Sequence, residues 1–198
     1  LNPFPVVVNY DTEIYADEVY TLYDTYFENL YFQQDLGREF TEPIKDFFTI
    51  TDSPYIMYIC EDYAFTPELT RDRLLEIFDE YKHFDCRHLM VTRPHKYLAE
   101  HWHTDKHYLS GKPRQPSMKG KNLWVFHSSQ SPYWQFAAAG LFERNLYKTV
   151  VEECIGKGKG INGIDKIEQS GLIQRDVMCC CLTDPLIKHV HPTGTGER

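Results

Sequence analysis

His101, His103 and His107 crowd seven residues together with Asp105, in the run HWHTDKH. In an extended strand alternate side chains share a face, so His101 and His103 would project together and could hold one divalent ion. A tyrosine on a later helix, Tyr133 or Tyr147, could then attack DNA at that metal. The same run also offers His103 and Asp105 as the first two ligands of a non-haem iron centre. His127 or His189 would supply the third.

The first layout is that of a rolling-circle-type DNA nickase, the second that of a non-haem iron oxygenase. Both patterns are short, and the local sequence works against them. Tyr97-Leu98-Ala99-Glu100 begins like a helix, on which residues two apart face different ways. Nor does GKGKGING at 156–163 make a phosphate loop, because it follows a helix instead of linking a strand to one. Six cysteines occur, at 60, 86, 154, 179, 180 and 181, without paired metal spacing. Cys179, Cys180 and Cys181 would alternate faces along a strand and cannot converge on one ion. Two readings of these thiols stand: buried residues in a reducing compartment, or inter-chain disulfides that form as an assembly ages.

Charge narrows the partners. The net charge is −8. Residues 1–42 carry nine acids and one base, Arg38, so the remaining 156 residues balance to zero with twenty of each sign. A neutral body with an acidic arm argues against a nucleic-acid partner, which needs a basic surface. It favours self-association, since little net charge opposes contact between copies. Fourteen Tyr and twelve Phe suit either an aromatic core or interfaces. No apolar run approaches the ~20 residues of a membrane span, and LNPFPVVVNYDTE lacks the basic start of a signal peptide. Neither a membrane nor a cofactor is expected.

The elements follow from periodicity. An acidic amphipathic helix is expected over 12–36, with Val19, Tyr20, Tyr23, Phe27, Leu30 and Tyr31 as an aromatic stripe. Within it, residues 28–33 spell ENLYFQ, a protease recognition sequence often engineered next to tags; it continues the stripe without a break and reads as native. Thr66-Pro67-Glu68 starts a helix over 67–81, its apolar side being Leu74, Ile77, Phe78 and Tyr81. Ser131-Pro132 starts another, on which Phe142, Leu146, Val150 and Cys154 recur every fourth residue before Gly156 stops it. Strands are expected at 47–50, 55–60, 87–92, 123–127 and 172–182. Residues 110–122 and the tail HPTGTGER read as loops. The fold class is α+β: a β-sandwich core with packed helices over 43–198, preceded by a helical arm over 1–42.

One family shares this order of elements. His127-Ser128, Asn145, Tyr147-Lys148 and Val151 fall on one ungapped register that resembles the C-terminal half of baculovirus-type polyhedrins and granulins. Thr92-Arg93-Pro94, followed by Lys96-Tyr97-Leu98-Ala99-Glu100-His101, is similar to the family's Thr-Arg-Pro turn and the helix start after it. Phe47 to Ile50, after Ile44-Lys45-Asp46, is similar to a family strand start. The likeness spans residues 40–155, and Thr149 stands where the family has Pro. It implies a structural protein of an insect virus that assembles, through trimers or otherwise, into crystals inside infected cells, the nucleus included. Its partners would be its own copies and the virions they embed, and the particles would dissolve in alkali. Assembly would use Tyr20, Tyr23, Phe27 and Tyr31 of the arm, the Arg93-Pro94 turn, and Tyr147-Lys148.

Overall fold

The computed structural model describes residues 2–10, 16–34, 41–59, 63–91, 116–127, 140–154, 177–184 and 186–189. The chain is α+β, with four helices, a mixed six-stranded sheet and two smaller strand pairs among the described residues. It divides into two compact units. The first joins Leu1–Ser53 to Lys148–Lys166, and the second joins Pro54–Tyr147 to Ile167–Arg198.

In the first unit, β1 (Asn2–Tyr10) lies parallel to β2 (Phe27–Gln34), in register from Pro5↔Asn29 to Tyr10↔Gln34. A parallel pair needs a crossover, which contains α1 (Ala16–Asp24). The expected helix over 12–36 therefore stops near its middle. The Tyr26 amide turns back onto the Tyr23 carbonyl at 2.9 Å, and the chain leaves as a strand. From Leu30 burial alternates: Leu30 half-buried, Tyr31 exposed, Phe32 half-buried. A helical stripe and a strand face both fit these residues, and pairing with Val6-Val7-Val8 decides for the strand. Rings join the two elements, Tyr20 to Phe32 at 5.0 Å and Tyr23 to Phe27 at 5.9 Å.

Residues 47–50 are also helical, not extended. They end α2 (Thr41–Ile50), whose Ile44 and Phe48 are both buried. That four-residue spacing is the helical repeat, and a strand would have alternated.

The second unit is built on the sheet order β3-β8-β5-β9-β7-β6. These strands are β3 (Tyr55–Tyr58), β5 (His88–Met90), β6 (Met118–Lys119), β7 (Leu123–His127), β8 (Gly140–Glu143) and β9 (Met178–Leu182). Only β5 and β9 run parallel; the other neighbours are antiparallel. A separate pair joins β4 (Tyr63–Phe65) to β10 (Ile187–His189). The strand expected at 123–127 is thus present over its full length, and those expected at 55–60, 87–92 and 172–182 are present in shorter form.

α3 (Arg71–His83) begins four residues later than Thr66-Pro67 suggests. Thr66 is buried and its amide donates to the Leu186 carbonyl at 2.9 Å, which holds it beside the β4–β10 pair. Thr70 caps the helix instead, its hydroxyl accepting from the Arg73 amide at 3.2 Å. At the far end Asp85 takes φ 51°, a left-handed residue that turns the chain sharply into β5. The expected helix from Ser131 is replaced over 140–143 by β8; α4 runs only from Arg144 to Cys154. Residues 131–139 lie outside the described residues.

Both faces of the sheet are buried. One carries Leu89, Val91, Leu123, Val125, Cys180 and Leu182, which cluster with Ile77 and Tyr81 of α3. The other carries His88, Met90, Phe126, Phe142, Cys179 and Cys181, each below a tenth exposed. Burial on two sides explains why MCCCL is an unbroken apolar run with no polar alternation.

Candidate functional site

Several residues singled out by sequence fall outside the described residues: His101, His103, Asp105, His107, Tyr133, Arg93, Pro94, Cys60 and the 156–163 loop. Within the described residues, no group of three His, Cys, Asp or Glu side chains could hold a metal ion. Tyr147 is 2% exposed, against Phe142 at 4.5 Å between ring centres and Tyr58 at 6.4 Å. Its place is in the core. Lys148 is half-exposed, 3.9 Å from Glu152 one helical turn on.

The arm residues divide by exposure. Tyr20 and Tyr31 are 48% and 43% exposed, whereas Tyr23 and Phe27 are half-buried. Leu22 and Tyr26, 57% and 60% exposed, were not singled out by sequence. Reading one apolar stripe left the opposite side of the segment unexamined. Asp17, Glu18, Asp24 and Glu28 surround these side chains, and residues 16–34 contain no Lys, Arg or His. The result is an acidic surface with large apolar groups on it.

A cluster of polar side chains lies where β5, β8 and α4 meet. His88 is fully buried and stacks on Phe142 at 4.4 Å, 22° between planes. Gly140 makes room for it: a Cβ there would lie 2.9 Å from His88 Nε2 and 2.9 Å from the Leu89 carbonyl oxygen. Burial drives the imidazole pKa down to about 3, so the ring is neutral. One residue away, Arg87 donates to Glu143 Oε2 at 2.7 Å from Nη2 and 3.3 Å from Nε. Glu143 also accepts from the Asn145 and Leu146 amides at 2.9 and 3.0 Å, satisfying the free N–H groups that open α4. Burial opposes its ionisation, but Arg87 and those amides outweigh it and hold the carboxyl below its usual range.

A second carboxylate does purely structural work. Glu80 of α3 accepts from the Asn122 amide at 3.0 Å, Asn122 Nδ2 at 3.0 Å and the Leu123 amide at 3.1 Å. A Cβ on Gly120 would run into this carboxylate. Beside it an open depression of ≈ 350 Å³ is lined by Glu76, Asp79, Glu80, His83, Lys121 and Asn122. Lys121 pairs with Glu76 at 2.7 Å and lowers its pKa. Glu80→Ala should cost about 2 kcal/mol by stranding two amides and the Asn122 side chain. Urea unfolding checks this; a loss below about 0.5 kcal/mol would mean the contact is dispensable. Nothing in the sequence joins residues 42 positions apart, so this contact was not foreseen.

Cys86, Cys179, Cys180 and Cys181 are buried, and Cys180 Sγ approaches the His88 carbonyl at 3.6 Å. Burial pushes the Cys179 and Cys180 thiols up, which keeps them protonated and slow to oxidise. An inter-chain bridge through 179–181 would require β9 to leave the centre of the sheet.

No known protein-family model matches this chain, and no characterised protein matches it either.

Proposed function

We propose that this chain is a structural protein whose activity is self-association, a divergent occlusion-body matrix protein of the polyhedrin and granulin type. The observation that carries the reading is the acidic, apolar surface of α1 and β2, with Tyr20, Leu22, Tyr26 and Tyr31 all more than two-fifths exposed. Large aromatic side chains are enriched where proteins meet, because each joins a flat apolar body to a polar tip. The matching residue Tyr147 supports the reading from another side. Its burial suits a packing role and does not suit attack on DNA.

On this reading copies associate, by trimers or otherwise, into a lattice that embeds virions in infected cells and comes apart in alkali. The six-stranded sheet would be one layer of the β-sandwich that the resemblance implies.

Expression of the full chain in insect cells should produce refractile, sedimentable particles. Tyr20→Glu, Leu22→Glu and Tyr26→Glu together should abolish them while leaving a folded, soluble protein by circular dichroism. A wild-type chain that remains monomeric at high concentration, or particles indifferent to the triple substitution, would overturn the reading. Stoichiometric iron, manganese or zinc in washed protein would instead favour metal chemistry at His101 and His103.

A further inference from the structure

We infer that the meeting point of β5, β8 and α4 is an acid-operated latch, in which protonation of His88 and Glu143 opens the β5–β8 pair and frees the start of α4. This does not depend on self-association. It rests on two ionisable side chains at neighbouring positions with opposite requirements. His88 must be neutral to remain stacked on Phe142 within a closed sheet. Glu143 must be ionised to hold Arg87 and to cap the Asn145 and Leu146 amides. Acid violates both, His88's requirement before Glu143's. Their strands are paired directly, His88↔Phe142, so both side chains act on one ladder. The Glu143 amide also donates to the Arg87 carbonyl at 2.8 Å, and the Arg144 amide to the Pro54 carbonyl at 2.9 Å. Opening that ladder therefore loosens β3 as well as α4.

Among the described residues, the ionisable groups on the elements around His88 include Arg87 just before its own strand, Cys179 at the same register and Cys181 on the same face of β9, Glu143 on β8, Arg144, Lys148 and Glu152 on α4, and Tyr58 and Tyr147 beyond Phe142. Neither tyrosine changes charge in acid, and the Cys179 thiol remains protonated. The response belongs to His88 first and Glu143 second. The imidazole has its folded pKa depressed, so its contribution is complete above about 6.5 and is lost as pH falls from there toward 3. Glu143 is likewise depressed, and its contribution fades below the ordinary carboxylate range. From His88 alone the folding equilibrium constant should drop about 30-fold between pH 7.5 and 5, and about 300-fold by pH 4.

The experiment uses the full chain. Urea unfolding at pH 7.5 and 5 is compared for wild type, His88→Gln and Glu143→Gln. Amide hydrogen exchange at the same two pH values, corrected for intrinsic rates, locates the opening. The latch predicts a fall in wild-type stability that His88→Gln flattens by about 30-fold. Glu143→Gln should retain the His88 step and weaken α4 at both pH values. Exchange should rise first over 140–147. If His88→Gln does not fold, the imidazole proton resonances of wild type decide instead: His88 should show no titration above pH 4. An imidazole that titrates near 6.5, a variant with the wild-type pH slope, or exchange that rises evenly over the sheet would each overturn the proposal.

Discussion

Raising the protein from pH 8 to 10.5 is expected to remove about 6 kcal/mol of folding stability, enough to unfold many domains outright. The cause is the core facing α3. Tyr81 is fully buried, and burial, followed by the neighbouring Cys180 and Cys86 thiols, raises its pKa far above that of a free phenol. Burial does the same to Cys179 and Cys180. Groups whose folded pKa is raised contribute fully below the unfolded value and lose that contribution as pH climbs toward the folded value. The unfolded thiols begin to ionise near 8.5 and the phenol near 10, and each then costs about 1.4 kcal/mol per pH unit. Two thiols and one phenol give the total. Tyr81→Phe should be harmless at pH 7, because the Tyr81 hydroxyl is buried without a hydrogen-bond partner. Cys179→Ala with Cys180→Ala should flatten the alkaline slope by about 5 kcal/mol at pH 10.5, whatever it costs at neutrality. Guanidinium unfolding across this range decides it: an unchanged slope in the double variant would refute a core-driven transition. Particles of this protein would then dissolve because their subunits unfold, in addition to any repulsion between surfaces.

Phe142→Ala is expected to cost about 3–5 kcal/mol at pH 7. Phe142 is 1% exposed and lies between His88 at 4.4 Å and Tyr147 at 4.5 Å, so truncation removes the middle of an aromatic stack. It leaves a cavity between a central strand and the first turn of α4, neither of which can move far to fill it. Tyr147→Phe, which keeps the ring, should cost much less. Phe142→Ala combined with Tyr147→Ala should cost less than the sum of the two, since they line one space. A loss under about 1 kcal/mol for Phe142→Ala would show that the aromatic stack does not hold this layer together. The acid response should steepen in this variant too, because His88 loses the ring that covers it.

What could be read from the sequence is what local pattern controls. α3 was legible because Ile77 and Tyr81 repeat at helical spacing. β5, β7 and β9 were legible as short apolar runs bounded by turns. Patterns that satisfy two periods were misread. Phe27, Leu30 and Tyr31 fit a helical stripe, but Leu30 and Phe32 also fit one face of a strand. Only the β1 partner, 24 residues upstream in the ladder, chooses between them. The same ambiguity produced a strand at Phe47–Ile50, where α2 stands. β8 was hidden inside an apparent helix because Phe142 is buried either way: four residues before Leu146 on a helix, or at the end of a strand that turns into one. Of the candidate sites, the exposed arm aromatics were half legible. The Glu80–Asn122 contact and the His88–Glu143 arrangement were not, since one is created by packing of α3 against the turn before β7 and the other by strand order, and neither leaves a spacing in the chain.

The β1–β2 pair bears on handling the molecule. ENLYFQ occupies nearly the whole of β2, and its cleavable bond, Gln33–Gln34, lies where Gln33 faces Asn9 and Gln34 faces Tyr10 in the ladder. A protease that reads those letters must draw the strand away from β1 before it can cut. When the strands separate quickly compared with cleavage, the rate of cutting measures how often they part. The segment that looks like a leftover of cloning is thus a built-in gauge of fraying at this end of the protein, and removal of a tag with that enzyme would sever the first thirty-three residues from any molecule caught open.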